Sequence, residues 1–229
     1  MSNPEFLTLV RHDKTDHEKR QLEKASDQVY QAFRRAYDKN WASTETQALA
    51  YEVSEKFSAA EYGDYNVPLL PVPSEEISLA EAVAAKMRTF ASLPDTIYVS
   101  PSLRTMQTLE RMSKGWPDLK TVRTIEEPNL RERDLGLAWL WCDFKVWDAL
   151  HPEEGELHRL LGDYYYRFPR GESISDVRQR GRTWVTNLSL ERNETNVLAV
   201  THRVNILSIQ FFQCPTTPEV AASGQRITI

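Results

Sequence analysis

Cysteine is nearly absent: Cys142 and Cys214 are the only two in 229 residues. Two are too few for a disulfide framework, and they lack zinc-ligand spacing, so a reducing, cytoplasmic setting is expected. No apolar run approaches the roughly 20 residues of a membrane-spanning helix. The N-terminus also lacks the charged-then-apolar pattern of a secretory signal, and no membrane association is expected. Neither sign of charge dominates. Twenty-eight Lys and Arg face 33 Asp and Glu, a net charge of −5 that leaves no basic footprint for nucleic acid. Internal repeats and low-complexity segments are missing as well. What is present, 41% hydrophobic and 27% charged residues, suits one substantial core, and residues 1–229 read as a single domain.

The chain alternates short apolar runs with amphipathic stretches. Phe6 to Val10 is a run of β-formers that stops at Arg11-His12, the pattern of a buried strand ending in a loop. Asn196 to Val200 repeats the design and ends at Thr201-His202. Thr96 to Ser100 reads as a third strand and Thr121 to Ile125 as a weaker fourth. Helical periodicity runs from Glu18 to Tyr37, from about Ser43 to Phe57, from Ser78 to Phe90 and from Glu153 to Tyr166. Ser173 is a cap for a helix through Val177, Trp184 and Leu188, and a last helix runs through Val204 to Phe211. Arg131 to Trp147 reads as a charged, aromatic loop. This alternation predicts an α/β fold, a mostly parallel sheet flanked by helices on both faces, with residues 18–63 as a helical insertion after the first strand.

Ligands of open α/β sheets bind beyond the carboxyl ends of strands. His12 and His202 stand there, with Arg11 beside the first and Arg104 one turn past the third strand. A lone histidine in such a place is most often structural. Two histidines with two guanidinium forks describe instead an anion pocket holding a nucleophile.

Five motifs in order resemble the histidine phosphatase superfamily, the phosphoglycerate mutase-like proteins. They are Leu9-Val10-Arg11-His12, Ser100-Pro101-x-x-Arg104-x-x-Gln107-Thr108, Leu130-x-Glu132-Arg133-x-x-Gly136, Pro169-x-Gly171-Glu172-Ser173-x-x-Asp176-Val177 and Val200-Thr201-His202. The run Tyr164-Tyr165-Tyr166-Arg167-x-Pro169 looks closest to the broad-range acid phosphatase branch. The resemblance implies that His12 attacks phosphorus and forms a phosphohistidine, and that Arg11, Arg104 and His202 hold the phosphoryl oxygens. It implies further that Glu132 protonates the leaving oxygen and then helps activate water. The chemistry calls for no metal and no cofactor. The expected partners are a small phosphorylated substrate and, as one admissible assembly, a second copy of the chain in a homodimer.

The chain departs from the family's usual pattern at two places. Asp13 and Arg203 follow the two histidines where glycine is common, and both are pocket modifiers in this reading. An ion pair between them across the mouth of the site is expected to cancel their charges. Arg178, Arg180 and Arg182 read as a solvated helix face, and His17, His151 and His158 show no metal spacing. Trp139, Trp141, Trp147 and the three tyrosines read as packing residues first and as a substrate lid second. Arg226 to Ile229 resembles the approach of a further strand.

The reading is therefore a phosphate monoester hydrolase of the histidine phosphatase fold. Glu18 stands where mutases often carry Asn, which favours hydrolysis over phosphoglycerate mutase-type transfer. The rival from another class is a catalytically weak phospholigand-binding pseudoenzyme, with Asp13 and Arg203 as its best support.

Overall fold

The computed structural model describes residues 4–57, 66–141, 143–191 and 195–213. Cys142, Cys214 and the strand expected at residues 226–229 lie outside them. The chain groups into two compact units. The first is drawn from residues 1–15, 66–132 and 176–229, the second from residues 16–65 and 133–175.

The first unit is built on a four-stranded parallel sheet. Its strands are β1 (Phe6–Arg11), β2 (Thr96–Val99), β3 (Arg123–Glu126) and β4 (Asn196–Thr201), in the order β1-β4-β2-β3. All neighbours pair in parallel, so helical crossovers must cover both faces. Side chains alternate accordingly. Leu7, Leu9, Tyr98, Val197 and Ala199 share one core with Trp184, Ile206 and Ile209. Ile97, Val99, Leu198 and Val200 point the other way, onto Ala84, Met87, Met112 and Trp116. The first group of helical residues belongs to α8 (Ile174–Glu191) and α9 (Arg203–Gln213). The second belongs to α4 (Leu79–Met87), capped by the Ser78 hydroxyl accepting from the Glu81 N–H, and to α5 (Leu103–Gly115) with Trp116 just beyond it. The α/β architecture with a parallel sheet between helices is the one expected from the alternating pattern.

The second unit holds α1 (Asp16–Ser26), α2 (Gln28–Asn40) and α3 (Thr44–Phe57), with α6 (Phe144–Leu150) and α7 (Pro152–Tyr165). Two sequence expectations need correction here. The periodic stretch from Glu18 to Tyr37 is two helices, because Asp27 turns out of the helix and its carboxylate accepts from the Val29 and Tyr30 N–H groups. The expected loop from Arg131 to Trp147 contains a 3-10 helix (Gly136–Trp141) and the start of α6. Asp143 caps α6 by accepting from the Lys145 N–H, and its other oxygen takes Lys24 Nζ at 3.2 Å and the Tyr30 hydroxyl at 2.7 Å. One carboxylate thus ties α1, α2 and α6 together. The core of this unit is Tyr30, Phe33, Ala50, Val53, Val146 and Ala149. Trp147, Tyr166 and Phe168 form a smaller buried cluster, so the packing reading holds for two of the aromatics. Tyr165 is exposed. No described helix is long and apolar enough to cross a membrane.

Candidate active site

Three parallel strands end level with one another, and the residue after each end carries a polar side chain. His12 follows β1, Ser100 follows β2 and His202 follows β4. Backbone pairing runs one residue further than the strands: the His12 N–H donates to the Thr201 carbonyl and the Ser100 N–H to the Val200 carbonyl, both at 3.0 Å. Register alone therefore brings His12 level with His202, and Ser100 level with Thr201, one residue short of it. The imidazoles of His12 and His202 face each other with centroids 5.2 Å apart and planes tilted by 58°.

Each ring is held by its inner nitrogen or by a neighbouring hydroxyl. His12 Nδ1 lies 2.8 Å from the Asp13 carbonyl oxygen, which can only accept, so the proton sits on Nδ1 and Nε2 keeps its lone pair. His202 is fully buried, with Nε2 at 2.8 Å from the Ser100 hydroxyl and Nδ1 at 3.7 Å from a Glu132 carboxylate oxygen. Burial, together with the positive charges of Arg104, Arg180 and Arg11, drives the His202 pKa far below the ordinary histidine range. His202 is neutral at any physiological pH. Arg104 is buried in the first turn of α5, and Arg11 is exposed at the end of β1. The α9 helix starts at Arg203, with the Ile206 N–H donating to the His202 carbonyl, so a helix N-terminus also opens at the site.

Glu132 is fixed through its backbone. Four successive carbonyls of its turn each accept a side-chain donor. Asn129 takes Arg180 Nη1 at 2.6 Å, Leu130 the Thr201 hydroxyl at 2.8 Å, Arg131 the Asn205 amide at 2.6 Å, and Glu132 the Arg180 Nη2 at 3.1 Å. Arg180 is buried, which corrects its assignment to a solvated face. Thr201 and Asn205 flank His202 in the chain, so the segment carrying the second histidine also holds the turn that carries Glu132.

The other motif residues are accounted for by contacts. Thr108 accepts from the Asp13 N–H at 2.9 Å and donates to the Arg104 carbonyl at 2.7 Å, and Gln107 accepts from the Leu69 N–H. In the second unit, Gly136 has φ +53°, and a Cβ there would stand 2.2 Å from the Pro169 carbonyl oxygen. The Glu172 N–H donates to the Asp134 carbonyl, its carboxylate accepts from the Asp134 N–H, and Arg133 Nε donates to the Glu172 carbonyl. Ser173 is buried at the start of α8.

Asp13 and Arg203 do not pair. The Asp13 carboxylate meets Arg111 Nη1 at 3.1 Å, while Arg203 is exposed at the first position of α9. The cause is direction: β1 turns Asp13 inward, toward α4 and α5, whereas Arg203 begins a helix whose inner side is filled by Ile206 and Ile209.

Among the described residues, His12, Glu132 and His202 bring one ligand atom each within 4.8 Å of one another, a donor set that transition metals accept. Burial first and the surrounding guanidinium charges second hold His202 neutral, and those charges oppose a metal ion there and favour an anion. Residues 62–210 match the model of the histidine phosphatase superfamily (branch 1). The chain belongs to the histidine phosphatase superfamily. The matched stretch contains Arg104, Glu132 and His202, and Arg11-His12 precede it.

The chain is 29% identical over 129 residues to the Phosphoglycerate mutase-like protein AT74H of Arabidopsis thaliana, a match covering 52% of this chain and 43% of that one. The chain thus spans less than half the length of that relative. Among solved structures it resembles the alpha-ribazole phosphatase of Shigella flexneri, with TM-score 0.52 and 16% identity over 94% of this chain and 81% of that one. It also resembles a mycobacterial glucosyl-3-phosphoglycerate phosphatase, with TM-score 0.51 and 19% identity over 94% and 81%. At these identities the likeness is one of fold.

Proposed function

We propose that this chain hydrolyses a small phosphate monoester through a phosphohistidine on His12. The observation that carries the proposal is the 2.8 Å contact of His12 Nδ1 with the Asp13 carbonyl oxygen, which assigns the ring proton to Nδ1 and Nε2 as the nucleophile beside a neutral, buried His202. In the proposed sequence Nε2 attacks phosphorus, the ester oxygen leaves with a proton from Glu132, and water then cleaves the N–P bond with Glu132 taking up its proton. Arg11, Arg104 and His202 stabilise charge on the three non-bridging oxygens. Membership of a superfamily with phosphatase neighbours supports hydrolysis, and the reaction is proposed to need neither metal nor cofactor.

The test is phosphate release from p-nitrophenyl phosphate and a panel of sugar phosphates in the presence of a chelator. Turnover by wild type that disappears in His12→Ala supports the reading. Equal turnover in both proteins contradicts it. Interconversion of phosphoglycerates without net release of phosphate would shift the assignment to a mutase, and binding of phosphate compounds without any turnover to a pseudoenzyme.

A further inference from the structure

A carboxylate one residue from a phosphoryl-accepting histidine opposes anion binding unless its charge is cancelled locally. Asp13 is such a residue, and every polar atom of it is engaged. Its N–H donates to the Thr108 hydroxyl at 2.9 Å, and its carbonyl accepts from His12 Nδ1 at 2.8 Å. One carboxylate oxygen accepts from the Lys14 N–H at 2.8 Å, and the other accepts from Arg111 Nη1 at 3.1 Å and the Ala80 N–H at 3.4 Å. Arg111 itself reaches past Asp13 to the Leu70 carbonyl through Nη2. The side chains of Asp13 and Arg111 are 5% and 17% exposed, so solvent screens this pair weakly.

The partners lie along one helix. Arg104, Thr108 and Arg111 are spaced four and three residues apart on α5, which brings them onto one face. The helix that places a guanidinium in the phosphate pocket therefore also grips the residue that orients the nucleophile, once by its backbone and once by its charge.

We propose that Asp13 and Arg111 are a positioning pair for the His12 nucleophile, in which Asp13 fixes the ring through its carbonyl and Arg111 cancels the Asp13 charge beside the phosphoryl pocket. The inference rests on the phosphatase reading given above. Neither residue touches the reacting atoms. Both act through His12 and through the field at the pocket. A pair that served packing alone would be needed intact, and losing either half would harm phosphate binding equally. A charge-cancelling pair behaves differently, because removing both halves restores the field.

The experiment is calorimetric titration of the full chain with inorganic phosphate, for wild type, Arg111→Met, Asp13→Asn and the double variant. Arg111→Met leaves a buried carboxylate without its counter-charge and is expected to weaken phosphate binding about tenfold, as a weakly screened like charge does. Adding Asp13→Asn is expected to restore affinity to within about threefold of wild type, and Asp13→Asn alone to tighten it, since a cation is left uncompensated. A double variant as weak as Arg111→Met, or an Asp13→Asn affinity equal to or below wild type, overturns the proposal. Because misfolding cannot tighten binding, Asp13→Asn alone decides the matter if Arg111→Met proves unstable. Wild-type protein that takes up no phosphate overturns the phosphatase reading together with this one. Wild-type binding with an unrescued loss overturns the pairing alone.

Discussion

The Ser100 hydroxyl lies 2.8 Å from Nε2 of His202, and both residues are fully buried at the ends of adjacent strands. This bond sets the orientation of a ring whose other nitrogen faces Glu132. Ser100→Ala leaves a buried ring nitrogen without its partner, a cost of about 1–3 kcal/mol. If that cost falls on the phosphate-bound state, kcat/KM for p-nitrophenyl phosphate is expected to drop about tenfold or more. Steady-state kinetics check this, and an unchanged kcat/KM would remove Ser100 from the site.

Arg180 holds two carbonyls of the Glu132 turn. Arg180→Leu leaves both without a charged donor and is expected to destabilise the fold by about 1–3 kcal/mol in chemical denaturation. The more specific outcome concerns leaving groups. In the proposed mechanism an alkyl phosphate needs a proton from Glu132 as its oxygen departs, whereas nitrophenolate leaves without one. Turnover of the alkyl phosphate should therefore fall further than that of p-nitrophenyl phosphate. An equal fall for both would separate Arg180 from the acid.

The strand-tip residues were legible in the sequence because β-formers followed by His, Arg or Ser fix both a place and a direction. The places of His12, Arg104 and His202 needed no more than that, and the parallel sheet followed from the same alternation. Ser100 read only as the end of a strand, and its bond to His202 was not legible. Arg180 was not legible. Two of its partners are backbone carbonyls, which leave no signature, and its neighbours Arg178 and Arg182 gave the appearance of a solvated face. The Asp13 partner was misassigned for a different reason. Nearness of two strand tips says nothing about which way each side chain turns, yet the spacing of Arg104, Thr108 and Arg111 on one helix face did hold the signal. Asp27 ended a helix without interrupting its apolar period, so only its capping bonds reveal the break.

Two histidines give stability opposite dependences on pH. His202 has a depressed pKa in the fold, so below about 6.5 the unfolded chain binds a proton that the native chain refuses. Stability contributed by its neutrality is present above that pH and is lost as pH falls, by at most about 1.4 kcal/mol per unit.

His158, in the second unit, behaves in reverse. Burial opposes its charge, but its ring lies 3.0 Å from Asp148 and 2.7 Å from Asp163, and these carboxylates push its pKa up to about 9. Its contribution is complete below 6.5 and declines as pH rises through 9. Denaturation midpoints against pH should lose their alkaline decline in His158→Gln and part of their acid decline in His202→Gln. Curves that do not change shape would contradict both assignments.

Two glycines separate backbone strain from steric clash. Gly136 and Gly162 both have positive φ, at +53° and +66°. A Cβ at Gly136 would meet the Pro169 carbonyl at 2.2 Å, and one at Gly162 would meet nothing within 4 Å. Gly162→Ala should cost about 1–3 kcal/mol from its backbone alone, because φ +66° with ψ 165° is a conformation essentially only glycine adopts. Gly136→Ala should cost more than about 3 kcal/mol, because neighbouring backbone must move as well. Similar melting temperatures for the two variants would show that the contact between the Gly136 and Pro169 segments is dispensable.

The central claim is a covalent bond between phosphorus and His12. Incubating the protein with a ³²P-labelled phosphate ester, quenching in alkali and mapping the labelled peptide tests it directly. The expected result is an acid-labile, alkali-stable phosphoryl group on His12 Nε2 that forms and decays at the rate of turnover and is absent from His12→Ala. Steady hydrolysis with no labelled histidine, or with label on another residue, would contradict the account.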